Sequence, residues 1–314
     1  MNPPRLPPIN LPGSNQSVPF NLEGLRGILR HQEPMYAHTT WRVGGPAQWF
    51  YKPADQSDLM QLLAYILPDL PVFWLGLGSN LLVRDGGIPG LVILTAGCLN
   101  EIKLVATQQL YVQAGVSCAK VARFAAQVGL TGTEFLAGIP GTMGGALALN
   151  ASAWGGETWS LVQCVETVDR LGQLHYRTAT DYEIGYRQVT GPQNEWFISV
   201  TLQLQPHPIA ENKAKIRRLL EQRHDNQPIG LPSSGSVFRN PPGYYAGQLI
   251  EQAGWKGQRV GGATVSEKHA NFIINSHQAT AADIENLITQ ITNSVEQHFG
   301  IRLVPEVHII GIHC

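Results

Sequence analysis

Residues 136–156 read Leu-Ala-Gly-Ile-Pro-Gly-Thr-Met-Gly-Gly-Ala-Leu-Ala-Leu-Asn-Ala-Ser-Ala-Trp-Gly-Gly, and they give the strongest indication of how this chain folds. A segment so rich in glycine costs backbone entropy to order and offers few side chains for packing. A fold keeps such a segment where a ligand approaches the backbone closely, and backbone N–H groups bind phosphates well. The segment alone is also compatible with a series of tight turns. It therefore predicts a phosphate-binding segment, with simple turns as the alternative.

A second glycine loop, Gly76-Leu-Gly-Ser-Asn80, follows the apolar run Val72-Phe-Trp-Leu75, which predicts a buried strand. It begins like the dinucleotide fingerprint of a Rossmann fold. Leu81 stands where the third glycine belongs, and the next residues predict a strand, a turn and a strand. Neither glycine segment carries the fingerprint that opens a helix. The two segments together predict a nucleotide held between loops of a mixed sheet.

Composition excludes several classes of protein. The chain has 314 residues, 43% hydrophobic and 14% charged, with a formal net charge of −1. We find no basic patch for nucleic acid, no apolar core of signal-peptide length and no run of about 18 apolar residues that would span a membrane. The four cysteines lack metal-ligand spacing and are interpreted as reduced thiols. We expect a globular, cytoplasmic protein that binds no metal, nucleic acid or membrane, and the sequence implies no protein partner.

The chain divides into a proline-rich arm and three units. Residues 1–19 hold six prolines and predict a disordered or extended arm. The units span residues 20–103, 104–207 and 208–314. Helices and strands mix without strict alternation, so we predict an α+β fold. Helices are predicted at 57–67, 118–128, 211–223, 244–253 and 281–298, and further strands at 110–115, 196–204 and 301–310.

Four polar positions lie in glycine-rich or apolar settings: Arg42 before Gly-Gly-Pro, Arg187 after Gly-Tyr, Ser236 on a predicted tight turn, and Glu306 within the last predicted strand. Alternation places Glu306 on the same face as Arg302 and His308. Each position alone is also compatible with an ordinary surface or turn residue. The histidines show no metal-binding spacing.

In this order, these segments resemble the UDP-N-acetylenolpyruvoylglucosamine reductase family, flavoenzymes of early peptidoglycan synthesis. The resemblance covers about residues 31–312. It rests on strings that begin at His38 (His-Thr-Thr-Trp-Arg-Val-Gly-Gly-Pro-Ala), Leu75 (Leu-Gly-Leu-Gly-Ser-Asn-Leu-Leu-Val-Arg-Asp-Gly-Gly), Leu136 (Leu-Ala-Gly-Ile-Pro-Gly-Thr-Met-Gly-Gly-Ala), Gly185 (Gly-Tyr-Arg), Gly235 (Gly-Ser-Val-Phe-Arg-Asn-Pro), Lys268 (Lys-His-Ala-Asn-Phe) and Pro305 (Pro-Glu-Val-His-Ile-Ile-Gly).

The resemblance implies that the first two units form a two-part, non-Rossmann αβ fold that binds FAD non-covalently, and that a C-terminal αβ domain covers the substrate. It implies NADPH as reductant and UDP-N-acetylglucosamine enolpyruvate as substrate. By the same resemblance, the expected catalytic residues are Arg187, Ser236 and Glu306. The expected substrate-binding residues are Tyr186, Arg223, Asn240 and His308. The expected FAD-binding residues are Arg42, Gly76, Leu77, Gly78, Ser79, Asn80, Gly138, Ile139, Pro140, Gly141, Thr142, Gly144 and Gly145.

The chain departs from the family at two places. Many relatives have arginine where this chain has His308, and the segment after Arg187 is too short for the tyrosine-bearing loop of one family branch. The sequence is therefore placed in the loop-less branch. Two other functions stay open: an FAD-linked 2-hydroxy-acid or sugar oxidase, many of which tether FAD through a histidine that residues 76–80 lack, and a non-enzymatic nucleotide-binding module.

Overall fold

The computed structural model describes residues 21–314, so the predicted arm at 1–19 lies outside the described residues. The first unit is a four-stranded sheet with one helix. Its elements are β1 (Ile28–Pro34), β2 (Pro46–Lys52), α1 (Gln56–Tyr65), β3 (Val72–Leu75), β4 (Leu81–Val83) and β5 (Ile88–Leu94). The sheet order is β1-β2-β5-β3, with β1 antiparallel to β2 and the other pairs parallel.

Helix α1 shows why the local prediction worked. Asp55 caps it by accepting a hydrogen bond from the Asp58 N–H, and the helix ends three residues before Pro68. Leu59, Leu62 and Leu63 are fully buried between this helix and the sheet. Ile198 of the second unit belongs to the same core, so the first two units pack together.

The second unit is a five-stranded antiparallel sheet covered by helices. Its main sheet has the order β12-β11-β15-β7-β6. Its elements are β6 (Ile102–Ala106), β7 (Gln109–Gln113), α2 (Cys118–Gln127), β8 (Leu130–Thr131), α3 (Met143–Ala148), β9 (Ser152–Ala153), β10 (Gly156–Glu157), β11 (Val162–Asp169), β12 (Leu174–Arg177), β13 (Glu183–Gly185), β14 (Gln188–Thr190), β15 (Glu195–Gln203) and β16 (Gln205–Pro206). Short 3-10 helices span Met35–His38, Glu134–Gly138, Trp159–Leu161 and Ala179–Asp181.

The second glycine segment is not a pure loop. Thr142 caps α3 by accepting a hydrogen bond from the Gly145 N–H, so this segment does open a helix, although only of 6 residues. A helix therefore forms here without the Rossmann fingerprint, because a threonine cap and the buried apolar residues Met143, Ala146 and Leu147 outweigh the cost of two glycines.

Helix α4 (Ile209–Asn226) opens the stretch of chain predicted as the third unit, yet it packs on the second. Ile216 is buried in the second unit's core, and the Asn212 side-chain amide donates to the Leu130 carbonyl at 3.0 Å. Lys215 pairs with buried Glu134 at 3.2 Å. The helix therefore brings its C-terminal end towards the glycine segment that follows Glu134.

The remaining chain forms an αβ unit with its own apolar core. Its elements are α5 (Ala246–Gln252), β17 (Arg259–Val260), β18 (Ala263–Val265), β19 (Ile273–Asn275), α6 (Ala281–Phe299) and β20 (His308–Ile310). Strands β17, β18 and β19 form a small antiparallel sheet. A capping box between Thr280 and Asp283 starts α6 at Ala281, the first residue of the helix predicted at 281–298.

Two connections fix this unit on the first. Trp41 is fully buried in the third unit's core, and its indole N–H donates to the Ile273 carbonyl at 2.7 Å. The predicted final strand at 301–310 is shorter than expected, since only β20 is a strand, and it pairs in parallel with β4 of the first unit. Residues 304–306 instead bond to residues 237–239. The chain end thus lies between two units, which no local pattern indicates.

Candidate active site

A cavity of about 410 Å³ lies where the three units meet. Both glycine segments, the β13–β14 turn, α4 and the chain end contribute to its wall. It brings together most of the site residues predicted from the sequence: Gly76, Leu77, Gly78, Ser79, Asn80, Gly138, Ile139, Pro140, Gly141, Thr142, Gly145, Arg187, Arg223, Ser236, Glu306 and His308.

Some glycines in this wall are required by protein packing. A Cβ on Gly76 would lie 2.5 Å from the Thr142 hydroxyl, and a Cβ on Gly138 would lie 2.3 Å from the Trp154 ring. Gly78 has φ +61°, a left-handed conformation that favours glycine. These positions would need glycine with or without a ligand.

Gly141 and Gly145 have no such reason. A Cβ on Gly141 would meet protein atoms no closer than 3.5 Å, at the Ser79 hydroxyl, and a Cβ on Gly145 no closer than 3.8 Å. Neither has a positive φ. A side chain at either position would enter the cavity, so these glycines leave the backbone bare towards a ligand. This fits a phosphate-bearing cofactor bound against the segment.

A second cavity of about 310 Å³ adjoins the first and shares Gly76, Thr142 and Gly145 with it. Gly144 lines this second cavity rather than the first. Its wall also holds Trp74 and Trp196, whose rings stack with centroids 5.1 Å apart. Two cavities that share residues of both glycine segments suit a long ligand whose diphosphate lies against those residues.

An ion pair between Arg187 and Glu306 forms part of the wall of the first cavity. Arg187 Nε lies 2.7 Å from Glu306 Oε1, and both side chains are less than one-fifth exposed. Arg187 sits in the turn of the β13–β14 hairpin, with φ +55°, and its Nη2 donates to the Ser152 carbonyl at 3.2 Å.

Burial raises the pKa of Glu306 above its usual value, while the charges of Arg187 and Arg239 oppose that rise. A carboxyl group in such a setting accepts and releases a proton more readily near neutral pH than an exposed one. The pKa of His308 is lowered, first by burial and then by the positive charge of Arg239. The neutral imidazole of His308 is therefore favoured already at lower pH than for an ordinary histidine.

Ser236 lines the cavity next to the Glu306 segment. The Glu306 N–H donates to the Val237 carbonyl at 2.7 Å, so backbone pairing fixes the two positions relative to each other. Asn80 of the first glycine loop donates to the Glu306 carbonyl at 3.1 Å and accepts from the His308 N–H at 3.0 Å. The first glycine loop and the Ser236–Glu306 region are thus one continuous surface.

Arg223 lies at the end of α4 beside Gly138. Its Nε donates to Gln227 Oε1 at 3.0 Å, and among residues 21–314 it forms no ion pair with a carboxylate. Burial lowers the pKa of the Arg223 guanidinium. A half-buried cation without an anionic partner is suited to bind an anionic group of a ligand.

The remaining predicted residues lie outside the wall of the first cavity. Arg42 is exposed at φ +57°, and Tyr186 is 52% exposed with its ring 5.5 Å from the Arg187 guanidinium carbon. Asn240 is exposed, and its Oδ1 accepts from the Ala246 N–H at the start of α5. Their predicted ligand contacts stay predictions.

The sequence analysis missed Arg239 and Gln227. The positive charge of Arg239 favours a lower pKa for both Glu306 and His308, and Gln227 accepts a hydrogen bond that orients Arg223. Arg239 stands in the same Gly-Ser-Val-Phe-Arg-Asn-Pro string as Ser236, so its proximity to the site was the available signal. In residues 21–314 no cluster of three His, Cys, Asp or Glu side chains is arranged to hold a metal ion. None of the helices in that range has the length and apolarity that crossing a membrane requires.

Comparisons with known proteins agree with this geometry. Residues 47–176 match the family model for an FAD binding domain, and residues 227–310 match that for the C-terminal domain of UDP-N-acetylenolpyruvoylglucosamine reductase. The first match spans the first glycine loop and the whole of the second segment, and the second match spans Ser236 and Glu306. The chain therefore carries an FAD-binding domain followed by a reductase domain.

Similar curated proteins cover nearly the whole chain. The UDP-N-acetylenolpyruvoylglucosamine reductase of Alkalilimnicola ehrlichii is 55% identical over 91% of this chain and 95% of its own length. That of Nitrosomonas eutropha is 50% identical over 98% of this chain and 97% of its own length. The crystal structure of the Thermus caldophilus reductase is 33% identical, covers 90% of this chain and 98% of its own, and has a TM-score of 0.78. This α+β oxidoreductase belongs to the UDP-N-acetylenolpyruvoylglucosamine reductase family.

Proposed function

We propose that this protein reduces UDP-N-acetylglucosamine enolpyruvate to UDP-N-acetylmuramate in the cytoplasm, with NADPH as reductant and non-covalently bound FAD. The observation that carries the proposal is the position of Arg187, Glu306 and Ser236 in the cavity that also contains both glycine segments. The names and lengths of the relatives support the same reaction.

The residues present fit FAD. The open backbone at Gly141 and Gly145 would hold the diphosphate, with residues 76–80 facing it across the cavity. Residues 76–80 contain no histidine or cysteine for a covalent bond, which supports non-covalent binding. When bound, FAD supplies hydride transfer from NADPH to the terminal vinyl carbon of the substrate.

Arg187 holds the carboxylate of the enolpyruvyl group. Hydride addition to the vinyl carbon builds negative charge on the adjacent carbon, and this charge spreads into the carboxylate. A fixed guanidinium stabilises that charge more than it stabilises the uncharged double bond, so the contact accelerates the reaction. The backbone turn and the Ser152 carbonyl fix Arg187 in advance.

Ser236 donates the proton that completes the reduction. A serine hydroxyl is too weak an acid for most substrates near pH 7, but a carbanion-like carbon is basic enough to accept its proton. Among the described residues Ser236 donates to no other side chain, so its proton is available to a ligand in the cavity.

Glu306 orients Arg187 and shares a proton with the substrate carboxylate. Its raised pKa allows a protonated fraction that tolerates a second carboxylate nearby. Arg223 binds the diphosphate of the UDP group, with Tyr186 and Asn240 as further contacts at the mouth of the site. His308 contacts the substrate carboxylate where many relatives use arginine.

An anaerobic titration tests this function. Purified protein is mixed with NADPH, and the loss of flavin absorbance is followed; the enolpyruvyl sugar nucleotide is then added. We expect absorbance to return in proportion to the substrate added, with UDP-N-acetylmuramate as product. Return of absorbance only with oxygen would indicate an oxidase, and absence of reduction by NADPH would indicate another reductant or a binding module.

A further inference from the structure

Arg239 contacts the backbone of both segments that carry the Arg187–Glu306 pair, and it is not among the residues that line the cavity. Its N–H donates to the Val304 carbonyl at 3.0 Å, while the Glu306 N–H donates to the Val237 carbonyl. Phe238 and Pro305 lie opposite each other between these two hydrogen bonds, as an isolated antiparallel β-bridge. In such an antiparallel pairing Arg239 and Glu306 are diagonal neighbours on one face. The position of Arg239 is therefore fixed by the same short pairing that fixes Glu306.

The side chain of Arg239 reaches the turn that carries Arg187. Its Nη2 donates to the Arg187 carbonyl at 3.4 Å. Arg187 has φ +55°, which is unfavourable for a residue with a long side chain and persists only where the surroundings hold it. The bond from Arg239 is one of the contacts that hold this turn, with the bond from Asn150 to the Gly185 carbonyl on its other side.

Within the described residues the guanidinium of Arg239 lacks part of the hydrogen bonding and charge pairing that a buried cation needs. Its Nε is buried and donates to no acceptor in residues 21–314, and Arg239 forms no ion pair within hydrogen-bonding distance. Burying such a group costs free energy unless a charge nearby compensates. Glu306 is a carboxylate near enough for this charge to matter: the charge of Arg239 opposes the rise in the pKa of Glu306 that burial causes. The other charged or titratable groups around Glu306 are Arg187, His308 on its own segment, and Arg223 across the cavity.

We propose that Arg239 is a positioning residue of the reduction: it holds the Arg187 turn in its left-handed conformation and supplies the second positive charge that favours ionised Glu306. The inference rests on the proposed function, because it assigns a task within that reaction. Arg239 acts through Arg187 and Glu306 and touches neither substrate nor cofactor. Two cations around one carboxylate leave a net positive charge, which suits the arrival of a carboxylate substrate.

The direct test is the titration of Glu306 in the oxidised holoenzyme, without NADPH or substrate. Infrared difference spectra of protein carrying isotope-labelled glutamate, with Glu306→Gln as the reference, isolate the protonated carboxyl band. In Arg239→Gln the pKa of Glu306 is expected to rise by about one unit, as on loss of a nearby opposite charge. Arg239→Lys keeps the charge and should stay close to the wild type.

Arg302→Gln is the matched control. Arg302 lies on the same terminal segment and pairs with Glu296, but it is 67% exposed, so solvent screens its charge. Its loss should leave the Glu306 band unchanged. A band in Arg239→Gln that titrates as in the wild type would overturn the proposed role of Arg239.

Reoxidation of the reduced holoenzyme by substrate gives the second readout. In Arg239→Gln the pH dependence of the reoxidation rate should shift to higher pH by the same amount as the pKa of Glu306. If Arg239 were purely structural, its loss would lower the rate equally at every pH, and that result would contradict the inference. If even the wild type is not reoxidised by the enolpyruvyl substrate, the proposed function fails, and the positioning role fails with it. If the wild type turns over normally but the Glu306 band of Arg239→Gln titrates as in the wild type, only the positioning role of Arg239 fails and the proposed function stands.

Discussion

Arg187 Nε lies 2.7 Å from Glu306 Oε1, although one residue sits on a hairpin of the second unit and the other near the chain end. The pair exists only because β20 returns to the first unit and places residues 304–306 beside residues 237–239. A positive and a negative group at the end of a cavity lined by bare glycine backbone form the centre of the proposed reduction.

Replacing Glu306 by Gln keeps the size of the side chain and removes its charge and its proton exchange. We expect flavin reduction by NADPH to stay within about twofold and reoxidation by substrate to slow by roughly 10²-fold, because Arg187 loses its orienting partner. Stopped-flow absorbance measures both halves. A Glu306→Gln enzyme with normal reoxidation would remove Glu306 from the proposed mechanism.

The same variant changes how stability depends on pH. The folded-state pKa of Glu306 is raised, so its contribution to stability is present at pH values below the usual glutamate pKa and is lost as pH rises through the raised value. The unfolding free energy of the wild type minus that of Glu306→Gln should therefore fall with increasing pH above about 4.3. Chemical denaturation at several pH values measures it. A difference that rises with pH would contradict the assigned direction.

Gly141→Val tests the cofactor placement. A Cβ at this position would have ordinary contact with Ser79 and Ile139, so the rest of the valine side chain would extend into the cavity. We expect the affinity for FAD to fall about 10- to 100-fold, the effect of overpacking a close contact. Flavin fluorescence measures the affinity, and unfolding of the cofactor-free protein confirms that the variant folds. Gly141→Ala should show a smaller loss. Full flavin content in Gly141→Val would place the diphosphate elsewhere.

His308→Arg tests the departure from the family. Burial and the Arg239 charge lower the pKa of His308, so the cationic form is lost as pH rises through a value below 6.5. Substrate affinity of the wild type should weaken as pH rises through that acidic range, and His308→Arg should flatten the dependence because arginine stays charged. Superimposable plots of Kd against pH for the two proteins would remove His308 from the carboxylate contact.

Elements with strong local signals could be predicted from the sequence. The Asp55 cap and Pro68 bound α1, and the Thr280–Asp283 capping box starts α6. Long-range partners could not be predicted. The register of the chain end depends on β4, and the packing of α4 depends on the second unit's core, neither of which lies near in sequence.

The candidate site shows the same division. Glycine runs indicate where a backbone is exposed, but the coordinates are needed to distinguish Gly141, which is open to the cavity, from Gly138, which is covered by Trp154. Asn240, predicted at the substrate, also has a structural contact that its sequence position does not indicate, because its Oδ1 accepts a hydrogen bond from the Ala246 N–H at the start of α5. The role of Arg239 could not be predicted from the sequence, because it depends on contacts with Arg187 and Glu306, which are distant in the chain.

Single-turnover kinetics of Ser236→Ala test the central claim most directly, since Ser236 is the one group assigned to proton donation. NADPH should reduce the flavin of this variant at a rate close to that of the wild type. Reoxidation by the enolpyruvyl substrate should slow by about 10²-fold or more, the usual contribution of a positioned acid. Equal slowing of both half-reactions, or reoxidation at the wild-type rate, would contradict the account.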